Sequence, residues 1–273
     1  MFRLAKDNSI SKENFELKLN TEFNMLVTQP VPKNLSKYYE SEDYISHTDG
    51  KKSMFEKVYQ LVKNYTLKKK IKLINSFNSE EKTILDIGAG TGDFLSVCKN
   101  DNWNVLGIEP NEKARKIAES KKINLQENLS EVKNKKFDVI TMWHVLEHVE
   151  NLQEYIQQLK ELLKENGTLL IAVPNYKSYD AAYYKSYWAA YDVPRHLWHF
   201  SKDSISKLMF KEQMSVQKIK PMPFDAFYVS LLSEKYKSGK MNFIKGFWIG
   251  LISNFKSINT KEASSLIYII KNS

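Results

Sequence analysis

Residues 83–94, which read TILDIGAGTGDF, decide the fold of this chain. The first five residues are mostly apolar and predict a short buried strand. Gly88, Gly90 and Gly92 follow directly. Glycines let a chain turn with positive φ and let backbone amides come close to a ligand. The segment therefore predicts a strand, a tight turn and a helix, with a ligand loop at the carboxyl end of the strand.

The charges around this loop separate two classes of cofactor. Dinucleotide enzymes carry GxGxxG, whereas Asp93 stands where their last glycine would be. Asp86 and Asp93 would repel a pyrophosphate, but a carboxylate here could pair with the amino group of S-adenosylmethionine (SAM). Glu109 ends the next predicted strand, 21 residues beyond Gly88, where it can accept both ribose hydroxyls. These charges favour SAM over NAD.

Strand and helix patterns alternate on both sides of the loop. Helical periodicity begins at Ser53, strands are predicted at FDVITM and TLLIAVP, and SSLIYII reads as a closing strand. We expect an α/β fold: a Rossmann-like doubly wound sheet, mostly parallel with an antiparallel closing strand, over residues 51–273. Residues 1–50 are polar and predict an irregular arm. Two segments are predicted to cap the substrate. They are residues 176–200, which are rich in aromatic side chains, and residues 224–258, which are predicted to be largely helical.

Composition limits the partners and the location. The net charge is +9, but Arg3, Arg115 and Arg195 are the only arginines, so the lysine-rich surface predicts diffuse attraction rather than nucleic-acid readout. One cysteine, Cys98, fits a reducing cytoplasm. Residues 243–255 are apolar but shorter than the roughly 20 residues of a membrane span, which leaves a weak membrane contact open. The oligomeric state is not encoded in any pattern.

Three motifs, LDIGAGTGDF, GIEPN and FDVITMWHVLEHV, resemble those of class I SAM-dependent methyltransferases, particularly the small-molecule UbiG-like or methyltransferase-23-like group. The resemblance covers residues 50–273 and is strongest over 83–175. It implies that the cofactor is SAM and that its methionine end is held by Asp86, Gly88, Gly90 and Gly92. It also implies that Glu109 binds the ribose and that Asn128 and Leu129 bind the adenine. Trp143 and His144 would lie on either side of the sulfonium. Some relatives carry a cysteine knuckle ahead of the core, and residues 1–50 would be a version without cysteines.

Two polar runs carry the other candidates. His144, Glu147 and His148 spell the HxxEH of some zinc proteases, but the run begins at the carboxyl end of a strand, so we expect no metal site. The run YDVPRHLWH, residues 191–199, mixes charges with aromatics. Its polar groups could simply satisfy one another, or they could serve a substrate. The expected substrate-binding residues are Asp192, Arg195, Trp198 and His199, and the expected catalytic residues are His144, His196 and Tyr191.

These patterns predict a SAM-dependent methyltransferase that acts on an oxygen, nitrogen or carbon nucleophile of a small molecule. His144 or His196 would be the general base. A nucleic-acid methyltransferase is an alternative, disfavoured because no NPPY-like tetrapeptide follows the fourth strand and no cysteine stands there. A protein that binds SAM without turnover is a further alternative.

Overall fold

The computed structural model describes residues 3–39, 54–77, 79, 81–132 and 135–273. The chain divides into two compact units. The first unit comprises Met1–Ser41, His144–Gln153 and Ile171–Ile269. The second comprises Glu42–Trp143, Glu154–Leu170 and Ile270–Ser273. The predicted boundary at residue 50 lies outside the described residues.

The described residues form the following strands and α-helices. The strands are β1 Arg3–Lys6, β2 Asn14–Asn20, β3 Met25–Gln29, β4 Thr83–Ile87, β5 Asn104–Ile108, β6 Leu125–Gln126, β7 Phe137–Trp143, β8 Leu163–Pro174, β9 Trp198–His199, β10 Met214–Pro221 and β11 Ser265–Asn272. The helices are α1 Met54–Asn75, α2 Asp93–Asn100, α3 Glu112–Ser120, α4 Leu152–Leu162, α5 Tyr179–Tyr184, α6 Lys202–Lys211, α7 Pro223–Ser238 and α8 Phe243–Thr260.

The main sheet has seven strands in the order β10-β11-β8-β7-β4-β5-β6. Strand β4 pairs in parallel with β5 and with β7, and β5 pairs in parallel with β6. The prediction of a mostly parallel α/β sheet is therefore confirmed. The predicted strand at the end of the chain is β11, which lies between β8 and β10.

Burial explains why β4 has no alternation of polar and apolar residues. Ile84 and Leu85 are both fully buried although their side chains point to opposite faces of the sheet. On β5, a Cβ added to Gly107 would lie 2.4 Å from Leu125 Cδ2 and 2.5 Å from Leu95 Cδ1. Leu95 of α2 and Leu125 of β6 thus pack against Gly107, and a side chain there would have to displace the ends of both leucines.

The prediction of an irregular arm is wrong for residues 3–29. These residues form the antiparallel strands β1, β2 and β3, and β3 pairs with β9, so that Val27 lies opposite Trp198. Strand β2 buries Phe15 and Leu17 while its polar residues face outward. The alternation of apolar and polar residues in FELKL is typical of a strand. The many Lys, Asn and Ser residues around it make the whole segment look polar by composition, and so the strand was not predicted.

Residues 224–255 were predicted to be helical, and α7 and α8 confirm this. The two helices touch through glycines, because a Cβ on Gly246 would lie 3.0 Å from Leu231 Cα and one on Gly250 would lie 2.9 Å from Phe227 Cα. Asp180, on α5, accepts hydrogen bonds from Ser253 at 2.6 Å and from Trp188 at 2.7 Å, which fixes α8 from its buried side. None of the helices among the described residues is long and apolar enough to span a bilayer.

Candidate functional site

The glycine loop at the end of β4 has the conformation that its sequence predicts. Gly88, Gly90 and Gly92 have φ of 70°, 54° and 75°, in the left-handed region that favours glycine. The amides of Gly88 and Ala89 both donate to Ile108 O at 2.9 Å, which ties the loop to β5. A Cβ added to Gly90 would meet no described atom within 4 Å beyond its chain neighbours. The loop therefore presents an open cradle at Gly90.

Glu109 stands at the end of β5 and holds the loop in place. Its Oε2 accepts the Gly90 amide at 2.8 Å, and its Oε1 accepts the Asn111 amide at 2.9 Å. Each carboxylate oxygen has two lone pairs, so both oxygens keep acceptor capacity for ligand hydroxyls. This position and charge suit a ribose diol beside the loop.

Asp86 supplies a buried carboxylate beneath the loop. It is 2% exposed, and its Oδ1 accepts a hydrogen bond from Thr141 Oγ1 at 2.5 Å. Burial raises the pKa of Asp86 to about 7, against the lowering effects of the Thr141 hydrogen bond and of the Lys70 charge. A cation that binds beside Asp86 would favour its ionised form.

Asp93 does not play the part that the sequence argument assigned to it. Its carboxylate pairs with Lys63 at 2.6 Å and with Lys121 at 2.8 Å. Burial raises the pKa of Asp93, but the hydrogen bonds and charges of these two lysines outweigh it, so the pKa is lowered. Because two cations neutralise Asp93, its expected repulsion of a pyrophosphate is wrong. The electrostatic preference for SAM rests on Asp86 and Glu109.

The remaining predicted cofactor residues lie in the same unit. After β6, Asn128 is exposed and Leu129 is half-buried. Trp143 ends β7, packs edge-on against Phe94 with ring centroids 5.8 Å apart, and lies beneath Lys70 Nζ at 3.9 Å. The buried polar atoms Trp143 Nε1 and Gln126 Oε1 have no hydrogen-bond partner among the described residues. Unsatisfied polar atoms, an open cradle and two strand-end carboxylates fit SAM.

In the other unit, four histidines gather around Glu147. His144 has φ of 58°, a strained value for a residue with a side chain. Its Nε2 lies 2.9 Å from Asp225 Oδ2 and its Nδ1 lies 3.3 Å from Glu147 Oε1. Burial lowers the pKa of His144, but the hydrogen bonds to Asp225 and Glu147 outweigh it and raise the pKa to about 10. His144 is therefore an imidazolium at neutral pH.

Glu147 is fully buried and ionised. Burial raises its pKa, but His144 and the other neighbouring histidines outweigh this and lower it to about 2. Burial is the main cause that lowers the pKa of His148 to about 4 and that of His199 to about 3, so both rings are neutral. His199 Nε2 lies 3.0 Å from Thr28 Oγ1 on β3. The cluster thus places the Glu147 carboxylate among the charged ring of His144 and the neutral rings of His148 and His199.

The backbone fixes the tautomer of His196, and that of His148 in the same way, since His148 Nδ1 lies 3.0 Å from Arg195 O. His196 Nδ1 lies 2.9 Å from Ala190 O, and since a carbonyl oxygen can only accept, Nδ1 carries the proton. Nε2 then holds the lone pair in the neutral ring, 3.8 Å from Asp192 Oδ2. Glu147, His148 and His196 each place one possible ligand atom within 4.8 Å of the others. That spacing could hold a metal ion, and the expectation of no metal site stays a prediction.

Of the predicted substrate-binding residues, Arg195 and Asp192 contact each other and other protein groups, and Trp198 lines a cavity. The Arg195 guanidinium donates to both oxygens of Asp192, to Tyr38 O at 3.2 Å and to Ser9 Oγ at 3.2 Å, so it braces the amino-terminal strands. Trp198 donates to Val149 O at 2.6 Å and lines a cavity of about 270 Å³ beside β3. Tyr191 is buried, edge-on to His199 at 5.3 Å. The roles assigned to these residues stay predictions.

Three residues of this cluster were absent from the predicted site. Glu147 was visible in the HxxEH run but was set aside with the metal reading. Asp225 and Thr28 belong to α7 and β3, far in sequence from the histidines that they contact. No local pattern marks a residue whose role depends on a partner more than 80 positions away.

The family model and the similar curated proteins both identify this chain as similar to methyltransferases. A family model described as a methyltransferase domain matches residues 59–216. Ubiquinone biosynthesis O-methyltransferase from Rickettsia canadensis is 29% identical over 56% of this chain and 72% of its own length. The protein of the same name from Rickettsia typhi is 33% identical over 48% of this chain and 57% of its own length.

Solved structures support the fold. Magnesium protoporphyrin IX methyltransferase from Synechocystis, with bound S-adenosylhomocysteine (SAH), has a TM-score of 0.59 at 14% identity, covering 89% of this chain and 100% of that one. Cyclopropane synthase MmaA2 from Mycobacterium tuberculosis has a TM-score of 0.55 at 12% identity, covering 89% and 99%. At these identities the likeness concerns the fold alone.

Proposed function

This chain belongs to the methyltransferase-domain family and is a SAM-dependent methyltransferase that acts on a small molecule, and we propose that its acceptor atom is a phenolic hydroxyl oxygen. The observation that carries this proposal is the fixed tautomer of His196, which leaves Nε2 free to accept a proton. A hydroxyl must lose its proton on methylation, so a positioned base helps an oxygen nucleophile. The O-methyltransferase names of the relatives agree with this choice.

SAM supplies an electrophilic methyl group on a sulfonium, which an acceptor displaces in line. Asp86 and the glycine loop hold the methionine end and Glu109 holds the ribose, so the cofactor is fixed before the reaction. Alignment of this kind contributes up to roughly 7–11 kcal/mol to the lowering of a barrier. In this proposal the residues from Asp86 to Trp143 mainly orient the cofactor.

We assign the general base to His196 rather than to His144. His144 Nε2 is hydrogen-bonded to Asp225, its Nδ1 faces the Glu147 carboxylate at 3.3 Å, and the ring already carries a proton at neutral pH. His196 can take the proton at Nε2, and the carboxylates of Glu147 and Asp192 then stabilise the imidazolium. His144 becomes a positioning residue that orients Glu147. Tyr191 and His199 pack against each other and support the geometry of the segment.

Aromatic side chains suit the acceptor side. Trp198 is half-buried at the wall of a cavity and offers a flat apolar face to a phenol ring. We infer that residues 51–273 form the methyltransferase domain, which agrees with the family match, and that residues 176–200 and 224–258 cap the acceptor. A reducing cytoplasm is the proposed location, which suits the free thiol of Cys98.

The test measures SAH release by mass spectrometry with a catechol, an aliphatic amine and RNA as separate acceptors. We expect turnover with the catechol, and His196→Ala should lower it by about 10²–10⁴. Asp192→Asn keeps the His196 ring but removes one of the two carboxylates that stabilise the imidazolium and weakens the pair with Arg195, so it should lower turnover less than His196→Ala does. The proposal is overturned if RNA or the amine is the acceptor, or if His196→Ala turns over at the wild-type rate across the pH range.

A further inference from the structure

Helix α8 turns a row of large apolar side chains toward solvent. Five of them lie along one side of the helix and are each exposed by more than half: Ile244 at 74%, Phe247 at 53%, Trp248 at 55%, Phe255 at 63% and Ile258 at 59%. Ile244 lies three and four residues before Phe247 and Trp248, Phe255 follows Trp248 after seven residues and Ile258 follows Phe255 after three, and these helical spacings keep them on one side. We call these five residues the α8 face.

The opposite side of α8 explains why the large residues point outward. Gly246, Gly250 and Ser253 are buried on it, and the two glycines let α8 approach the backbone of α7 within van der Waals contact. A helix that packed only for stability would bury its phenylalanines and expose its serines and glycines. Packing within this chain therefore accounts for the glycines but not for the α8 face.

The aromatic side chains of the α8 face form an ordered surface cluster. Phe247 stacks on Phe227 of α7 with ring centroids 5.3 Å apart and an interplanar angle of 22°. Trp248 meets Phe247 edge-on at 6.1 Å. The rings are thus held in place on the protein surface before any partner arrives, which lowers the entropy cost of binding.

The charges around the α8 face are almost all positive. Helix α8 contains no aspartate or glutamate. The hairpin of α7 and α8, residues 223–260, carries five lysines and two carboxylates. Both carboxylates are already engaged, since Glu234 pairs with Lys245 at 3.2 Å and Asp225 lies 2.9 Å from His144 Nε2. The hairpin therefore offers a net positive rim to an anionic partner.

We propose that the α8 face docks onto the surface of an anionic lipid bilayer. An apolar stripe with Trp and Phe, bordered by lysines, is the pattern of helices that lie in the plane of the membrane interface. Lysine stems can lie along the apolar region while their ammonium groups reach the headgroups. With about 1.5 Å per residue, the helix is about 27 Å long, enough to lie across several lipid headgroups.

A second copy of the chain fits this surface less well. Lys256 borders the α8 face, and the neighbouring Lys245 is paired with Glu234, so two copies packed face to face would bring the Lys256 charges together at the edge of an apolar contact. Charged residues are depleted from the centres of protein interfaces, and like charges there weaken association. An anionic bilayer instead attracts these same lysines.

Trp248 makes the docking directly measurable. Of the five tryptophans, Trp103 and Trp188 are buried, Trp143 and Trp198 are half-buried, and Trp248 is the exposed one. The purified chain is mixed with vesicles of phosphatidylglycerol and phosphatidylcholine in equal amounts, and in parallel with vesicles of phosphatidylcholine alone. We expect co-sedimentation with the anionic vesicles and a blue shift of tryptophan emission, both weakened by high salt.

Variants locate the contact. Ile244→Ser with Phe255→Ser should lower the vesicle partition coefficient at least about tenfold, because both side chains leave the apolar phase. Phe210→Ser is the matched control, since Phe210 is 81% exposed on α6, outside the hairpin, and should bind vesicles as wild type does. Unchanged far-UV circular dichroism and SAH affinity show that each variant is folded.

Two results would overturn the proposal. One is equal partition of the wild type and the α8 variant into anionic vesicles. The other is that the wild type co-sediments with neither kind of vesicle but forms a dimer in analytical ultracentrifugation, and that the α8 variant abolishes this dimer. That result would assign the α8 face to a second copy of the chain. The proposal goes beyond methyl transfer, and vesicle binding is measured without any acceptor, so its failure leaves the proposed activity untouched.

Discussion

Gly90→Ala separates the ligand role of the glycine loop from its structural role. Gly90 has φ of 54°, and a Cβ there would meet no described atom within 4 Å beyond its chain neighbours. The substitution therefore costs only the left-handed strain of a residue with a side chain, about 1–2 kcal/mol. Because no steric clash adds to this cost, the variant should fold.

Gly239→Ala is the matched control for this variant. Gly239 ends α7 with φ of 76°, and its Cβ would also meet no described atom within 4 Å beyond its chain neighbours. The strain is therefore the same, whereas Gly239 lies outside the glycine loop. The two variants should show similar losses in the free energy of unfolding, measured by denaturant titration.

The difference appears in cofactor binding. A methyl group at Gly90 fills the open cradle and keeps the methionine end of SAM away from the loop amides. Loss of one hydrogen bond to a charged group costs about 1.5–3 kcal/mol, which corresponds to roughly 10–100-fold weaker binding. Isothermal titration with SAH should show this loss for Gly90→Ala and wild-type affinity for Gly239→Ala. Wild-type SAH affinity in Gly90→Ala, or equal losses in both variants, would refute the assignment of the loop.

Three further predictions concern charged groups. The pKa of Asp86 is about 7, so its carboxylate becomes charged as pH increases from 6 toward about 8, and its attraction for the cationic amino group of SAH should raise the affinity over that range. Asp86→Asn should remove this pH dependence, and calorimetry that shows the same dependence in Asp86→Asn would contradict the prediction. Glu109→Gln should weaken SAH binding by about 10–100-fold, because an amide offers one acceptor oxygen where the carboxylate offers two; an unchanged dissociation constant would count against ribose recognition. His144 has a folded-state pKa of about 10 against an ordinary value of 6.5, so its contribution to stability is complete below pH 6.5 and is lost as pH rises toward 10. Asp225→Asn should flatten this decline in the free energy of unfolding, and an equally steep decline in the variant would exclude the pair as its source.

The sequence could predict the cofactor side because its residues are local. Strand, glycine loop and acidic strand end all lie between residues 83 and 109, and each has a short pattern with a physical cause. Asp93 shows the limit of that reasoning. Its charge is neutralised by Lys63 from α1 and Lys121 after α3, neither of which stands near it in the sequence.

The histidine cluster was predicted only in part, for the same reason. His144, His196 and His199 stand in two short runs of the sequence, but the raised pKa of His144 depends on Asp225 and Glu147, and His199 contacts Thr28 of β3. The amino-terminal strands were missed because polar residues surround the short FELKL alternation of β2, and β3 in addition pairs with the two-residue strand β9, more than 160 positions away. Pairings across such separations leave no local periodicity.

The most direct test of the central claim, methyl transfer from SAM to a small hydroxyl acceptor, uses SAM labelled with carbon-13 in its methyl group. The chain is incubated with this SAM and a catechol, and the carbon-13 NMR spectrum of the product is recorded. We predict that the label appears at the chemical shift of a methyl on oxygen, with one SAH formed for each product. A shift typical of a methyl on nitrogen or carbon, or SAH binding with no transfer to any hydroxyl acceptor, would contradict the claim.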